Sequence, residues 1–338
     1  MRRLCRTFCF LLIIVLTVTV SGCKNNEDSS EPDVMYNDSN YEFIIEKTGG
    51  TTCSNIVMGN GRFACANDFI YFGTTNMLYE YDLLSGKTIS YAVRDAVLPR
   101  SLFVASDYVC YAEGQLMRQS RDGKHLERVF NSTEEISVLY PEGMKVYYQN
   151  FKEGSLFLRD LEANIEETLI DKVLAFYIDE QFIYAITVDE GTPSLVKAQK
   201  ETRDFRIIDL SFNPIAVLAK DQNLYLSKMG SYQIIRYSDG VEFELPIYAT
   251  YYQIHDNCIL YLDSESFNNG TFALKSFDLS TSNTRTISEN VFDFCVLENR
   301  YICYEVFGEE GASYHCFDWE TGKTSIMHDS ATEKEDEK

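Results

Sequence analysis

Short apolar strands and polar turns alternate along this chain in a unit that recurs seven times. In the clearest copy the turn Asn67-Asp68 runs into Phe69-Ile70-Tyr71-Phe72, and Leu78-Tyr79-Glu80-Tyr81 follows after a gap. The same turn-then-strand pattern returns with Val109-Cys110-Tyr111, Val146-Tyr147-Tyr148, Ile183-Tyr184, Leu224-Tyr225, Ile259-Leu260-Tyr261 and Ile302-Cys303-Tyr304. The aliphatic anchors Ile70, Val109, Val146, Ile183, Leu224, Ile259 and Ile302 stand 39, 37, 37, 41, 35 and 43 residues apart. A period near 40 built from short strands is the mark of a β-propeller.

Each anchor strand is followed by a second, around Leu78, Leu116, Leu156, Leu195, Ile234, Leu274 and Tyr314. Turns such as Ser85-Gly86-Lys87, Asp122-Gly123-Lys124, Ser238-Asp239-Gly240 and Thr321-Gly322-Lys323 come next, with Gly supplying positive φ. A further strand follows these turns, as in Thr88-Ile89-Ser90-Tyr91 and Glu167-Thr168-Leu169-Ile170. Another precedes each anchor, as in Ile136-Ser137-Val138-Leu139-Tyr140 and Ile215-Ala216-Val217-Leu218. The prediction is an all-β chain, a β-propeller of seven blades with four antiparallel strands each, six or eight blades being the alternatives. Two irregular sandwiches would not keep such even spacing. Tyr and Phe, 23 and 22 residues, suit strands.

The N-terminus has a different pattern. Arg2, Arg3 and Arg6 precede the apolar run from Phe8 to Val20, too short for a comfortable span but right for the core of a signal peptide. The run ends in Val20-Ser21-Gly22-Cys23, which resembles the lipobox of bacterial lipoproteins. That resemblance implies cleavage between Gly22 and Cys23 and a diacylglyceryl anchor on the Cys23 thiol. Two acyl chains hold a domain on a membrane stably. The expected organisation is a signal peptide over 1–22, a flexible acidic tether over 23–40, the propeller over 41–328 and a charged, disordered tail over 329–338. The strand Tyr41 to Lys47 is placed to pair with the last blade and close the ring.

Charge removes whole classes of function. The formal net charge is −22, and loss of the three leader arginines leaves 27 cations against 52 acids. Such a surface repels nucleic acid, which clustered Lys and Arg would have to bind. The stretch from Gly49 to Phe72 adds a resemblance to bacterial surface proteins with a propeller domain of unknown function, related to low-density-lipoprotein-receptor-type propellers. Thr51, Asn55, Ile56, Gly59 and Gly61 keep that pattern, and Phe69 stands where Trp is common. Gly50 and Ser54 depart from it.

Candidate chemistry is sparse. Seven cysteines remain beyond Cys23, an odd number with no CxxC. Cys110, Cys258 and Cys303 read as small core residues, and Cys295, Cys303 and Cys316 would approach Cys53 and Cys65 where the ring closes. His125, His255, His315 and His328 lack metal-ligand spacing and read as surface or turn residues. Asp263 to Gly270 reads as a polar hairpin loop rather than a calcium loop, because Phe267 occupies a ligand place. The turns Asp82 to Lys87 and Asp318 to Lys323 match part of a quinoprotein docking motif, but the single Trp rules out its ring. No catalytic, cofactor or metal residue is assigned, and no cofactor is expected.

The functional expectation is a membrane-anchored extracytoplasmic lipoprotein of a bacterial cell, with a non-enzymatic propeller that binds a protein, peptide or glycan. The alternatives are a glycan hydrolase or lyase with carboxylates at the channel mouth, and an envelope-assembly lipoprotein.

Overall fold

The computed structural model describes residues 61–330, apart from 75–76, 93–99, 106–107, 113, 122–125, 130–134, 151, 250 and 309–310. The closing strand expected at Tyr41 to Lys47 lies outside the described residues, as do the leader, the tether and the tail from 331 onward. Among the described residues no helix is long and apolar enough to cross a membrane.

The elements are antiparallel strands arranged as meanders, each strand beside the next in sequence. The first sheet comprises Phe63–Ala66, Phe69–Thr74, Met77–Asp82 and Thr88–Ala92. Four more four-stranded sheets follow, beginning with the strands Arg100–Ala105, Ile136–Glu142, Val173–Ile178 and Pro214–Lys220. The last sheet has seven strands, from Tyr252–His255 to Lys323–Asp329. Its long strand Thr284–Leu297 pairs through its first half with Thr271–Asp278 and through its second half with Tyr301–Phe307. Two four-stranded meanders thus share one strand. All seven predicted anchors fall on the second strand of a meander.

Alternation of side chains builds the core. Phe63, Cys65, Ile70 and Phe72 of the first sheet face one neighbour, whereas Ala64, Ala66 and Tyr71 face the other. Because successive strand residues point to opposite faces, a strand apolar at every position is buried on both sides. Phe63–Ala66 is such a strand. Fourth strands lie outermost: Phe205 and Ile207 are 75% and 63% exposed. Each sheet packs on the next through an apolar cluster, and the last packs on the first, where Phe63, Cys65 and Phe72 meet Cys295, Cys303 and Cys316.

Four of the turns that follow third strands share one device. Asp82, Asp160, Asp278 and Asp318 each accept, at Oδ1, the N–H groups two and three residues ahead, at 2.8–3.2 Å. Four residues past each Asp a left-handed residue closes the turn: Gly86, Asn164, Ser282 and Gly322, with φ between 54° and 69°. The turns that resembled a docking motif are therefore aspartate-nucleated hairpins.

Three expectations need correction. The stretch from Asp263 is a hairpin, but its loop is confined to Asn269 and Gly270: strand Cys258–Asn268 runs through the rest, and Asp263 is buried in an ion pair with Lys275. His255 is not on the surface. It is fully buried, edge-on to Trp319 at 4.9 Å, and burial lowers its proton affinity. Cys110 and Cys303 are core residues as read, but Cys258 is only half-buried.

Candidate functional site

Two regions carry unusual chemistry. The first is an open cleft at the end of the long last sheet. Asn269 and Gly270 form the two-residue turn between Cys258–Asn268 and Thr271–Asp278, with φ of 49° and 90°. Positive φ at both positions is what a tight hairpin of this twist requires, and Asn and Gly tolerate it best. Thr271 Oγ1 donates to the Asn268 carbonyl at 2.9 Å and fixes the tip.

The facing wall is made where the shared strand changes partners. Asn290 adopts φ of 58°, and the register shifts between Val291 and Asp293. That shift turns Phe292 outward, while Val291 and Phe294 stay fully buried. Phe292 meets Phe307 edge to face, ring centroids 5.4 Å apart, and the two rings remain 44% and 43% exposed. The cleft holds about 550 Å³. Asn268, Asn269, Asn290 and Thr271 supply amide and hydroxyl groups, the two Phe rings an apolar wall, and Gly270 and Gly308 leave the backbone open. None of these lining residues is charged. The same hairpin adds a second aromatic contact, exposed Phe267 on half-buried Phe272, ring centroids 5.0 Å apart.

A larger cleft of about 1170 Å³ lies between the fourth and fifth sheets. Its lining mixes Asp179, Asp209 and Asp221 with Lys197, Lys220 and Arg206. Lys197 Nζ sits 3.6 Å above the Phe182 ring, and burial with nearby Arg206 holds its proton affinity below the usual ammonium value. Both signs of charge face solvent there, as on the rest of the surface.

The second region is buried. Arg62, just before the first strand, forms an ion pair with Glu305 of the last sheet. Its guanidinium also donates to the Gly73 carbonyl and the Tyr314 hydroxyl, each at 3.2 Å, and Tyr314 donates to Glu305 at 2.8 Å. Burial opposes the charge on Arg62, but Glu305, Tyr314 and Asp293 outweigh it and raise its proton affinity. Asp293 is fully enclosed. Burial, with Glu305 adding and Arg62 opposing, pushes its carboxyl up to about 7. Its Oδ1 accepts from the Phe294 N–H at 2.8 Å, and Oδ2 accepts no hydrogen bond from any described residue.

A carboxyl with raised proton affinity beside a second carboxylate is the electrostatic mark of acid–base chemistry. Here Arg62, Asp293, Glu305 and Tyr314 are each less than 5% exposed. Enclosed in this way, the cluster joins the first sheet to the last. Gly22 and Cys23, the predicted lipidation site, lie outside the described residues, as do Cys53 and His125. Cys65, Cys295, Cys303 and Cys316 do come together in one core cluster between the last and first sheets. Sequence reasoning missed Asn290, Phe292 and Phe307. The only signal was the doubled aromatic in Val291-Phe292-Asp293-Phe294, too many for one buried face.

No protein-family description and no curated protein matches the chain. Solved structures do resemble it. The N-terminal domain of Nup159 aligns over 86% of this chain and 100% of its own, at 11% identity and a TM-score of 0.50. An oligogalacturonate lyase in complex with manganese covers 74% and 85% at 11% identity, TM-score 0.52. Dihydro-heme d1 dehydrogenase NirN in complex with DHE covers 77% of this chain and 64% of its own at 12% identity, TM-score 0.52. Likeness at such identity concerns the fold alone, and these neighbours include β-propellers. Together with the successive antiparallel meanders, it makes this chain a β-propeller.

Proposed function

We propose that this chain is a membrane-anchored extracytoplasmic lipoprotein whose seven-bladed, closed propeller is a non-enzymatic binding or scaffold module. The blade count rests on the long strand Thr284–Leu297, which serves as the outer strand of the sixth blade and the inner strand of the seventh. Closure rests on the packing of the last sheet on the first and on the Arg62–Glu305 pair. The kinship with low-density-lipoprotein-receptor-type propellers rests on Thr51, Asn55, Ile56, Gly59 and Gly61.

One observation carries the binding role: Phe292 and Phe307 stay exposed in a cleft whose described lining is uncharged, on a chain of formal charge −22. Soluble surfaces seldom leave clustered aromatic rings uncovered without a ligand or partner. Binding is favoured over turnover because Asp293, the one carboxyl with raised proton affinity among the described residues, is enclosed between sheets. Anchoring rests on Gly22-Cys23 after the apolar run.

Detergent phase partitioning of the full chain, beside Cys23→Ala, tests the anchor. The native chain should enter the detergent phase and the variant the aqueous phase; equal partitioning of both would sink the lipoprotein reading. Co-purification from the native membranes, with mass spectrometry and with Phe292→Ala and Phe307→Ala as controls, tests the binding role.

A further inference from the structure

We infer that the cleft between the Asn269-Gly270 hairpin and the Phe292–Phe307 pair is a site for an uncharged carbohydrate. The inference rests on the binding reading above and names its ligand class.

Four features of the cleft converge. The wall is aromatic: Phe292 and Phe307 meet at 72°, so they present a ring face beside a ring edge. A pyranose has faces of axial C–H groups, which pack on aromatic faces, whereas phenylalanine makes no hydrogen-bonding demand of its own. The rim is made of carboxamides. Asn268, Asn269 and Asn290 each offer a carbonyl acceptor and two N–H donors, and Thr271 adds a hydroxyl. Vicinal sugar hydroxyls donate and accept at once, and a primary amide matches them with both roles in one group.

Charge narrows the class further. A phosphate, sulfate or uronate would find no cation in the lining, and a chain of −22 would repel it. Among the described lining residues there is no carboxylate to favour a cationic ligand. The described lining therefore favours a neutral ligand. Size then separates a sugar from a protein. About 550 Å³ lies within the range of small-ligand sites, roughly 300–1,000 Å³. A protein partner engages about 20–30 residues a side, far more than this lining provides.

The test is calorimetric titration of the full chain, solubilised in detergent, with cellohexaose, maltohexaose and chitohexaose. An acidic hexagalacturonate and an apolar hexapeptide are the comparison probes. The expected result is binding of at least one neutral hexasaccharide and none of the hexagalacturonate. Phe292→Ala with Phe307→Ala should weaken that binding at least tenfold. Asn268→Ala should also weaken it, and serves if the double variant folds poorly by circular dichroism. Phe292→Tyr, which keeps a ring, should restore most of the affinity. Neutral-sugar binding that survives both Phe→Ala changes would move the site elsewhere and overturn the inference. If only the apolar peptide binds, and the Phe variants lose it, the carbohydrate class falls while the binding module stands. If no probe binds, the inference is overturned and the binding reading loses its carrying observation with it.

Discussion

The junction between the fourth and fifth sheets and the junction between the last sheet and the first do the same mechanical job with different chemistry. At the former, Tyr184, Ile186 and Leu195 meet Val217, Leu224 and Leu226, an apolar contact. At the latter, four thiols share the core with aromatic rings, and an Arg–Glu pair with a tyrosine and an enclosed aspartate lies alongside. The difference follows the chain. The fourth and fifth sheets are joined through 209–213, so their contact is nearly local. Arg62 and Glu305 stand 243 positions apart, and the entropy of bringing such distant segments together has to be offset by the contact itself. Apolar packing supplies energy with little direction. Hydrogen-bonded ions add direction, because only one registry satisfies them all.

The sharpest way to break this comparison is Arg62→Met. Methionine fills the volume but leaves Glu305 enclosed without its cation, with Tyr314 its remaining partner. Removing one partner of a buried pair costs about 3–5 kcal/mol. Urea unfolding should show a loss of that size. The double variant Arg62→Met with Glu305→Gln should be less destabilised than the single one, since no lone charge remains. Equal losses would mean that the pair acts through shape and not charge.

The matching test at the apolar junction is Leu226→Ala. Leu226 is fully buried, and a Leu→Ala truncation in such a core costs about 2–5 kcal/mol through lost transfer energy and the cavity left behind. Here no second substitution should repair the loss except one that refills the volume. A polar repair where the last sheet meets the first and a volume repair at the apolar junction would establish that two kinds of specificity coexist in one fold.

Proton linkage gives a third, smaller effect, confined to the junction of the last sheet with the first. The Asp293 carboxyl is pushed from an ordinary value of 3.8 up to about 7. The native state therefore keeps a proton that the unfolded chain has released. The stability linked to Asp293 is fully present below pH 4 and is lost as pH rises through 7. A single site changes stability by at most about 1.4 kcal/mol per pH unit. His255 and His315, whose burial lowers their proton affinity, act in the opposite sense at mildly acid pH. The measurement is thus the difference between the native chain and Asp293→Asn, from pH 5 to 8. Asparagine needs no proton, so the variant should gain relative stability as pH rises. A constant difference would show that Asp293 is ionised throughout.

The fold was legible because it is written in repeated local patterns. Ile70, Val109, Val146, Ile183, Leu224, Ile259 and Ile302 mark second strands, and each lies in one. The strands flanking them also fall where alternation and turn residues put them. What the pattern hid depends on register. Strand Thr284–Leu297 changes partners near Asn290, and a reading of polarity cannot see that one strand serves two meanders. For the same reason the cleft was not legible. Phe292 and Phe294 are two positions apart and would share a face in a regular strand, yet the shift leaves one exposed and the other buried. His255 was misread because its edge-on contact with Trp319 joins residues 64 positions apart.

The smallest expected effect on stability comes from Phe292→Ala, and it separates the cleft from both junctions. Phe292 is 44% exposed and contacts Phe307, itself 43% exposed, so truncation removes little enclosed surface and opens no cavity in the core. Surface substitutions away from caps, strained turns and buried networks usually stay within about 0.5 kcal/mol. Phe292 adjoins Asp293, however, and a strand distorted there would disturb the enclosed carboxyl. Two measurements on one variant resolve this. The unfolding free energy from urea titration should fall by no more than that small amount, and the pH dependence of stability should match the native chain. If both hold, the ring is present for what it binds rather than for what it holds together. A loss of 2 kcal/mol or more, by the measure that applies to core truncations, would instead assign Phe292 to the junction of the last sheet with the first and leave the cleft as a by-product of the register shift.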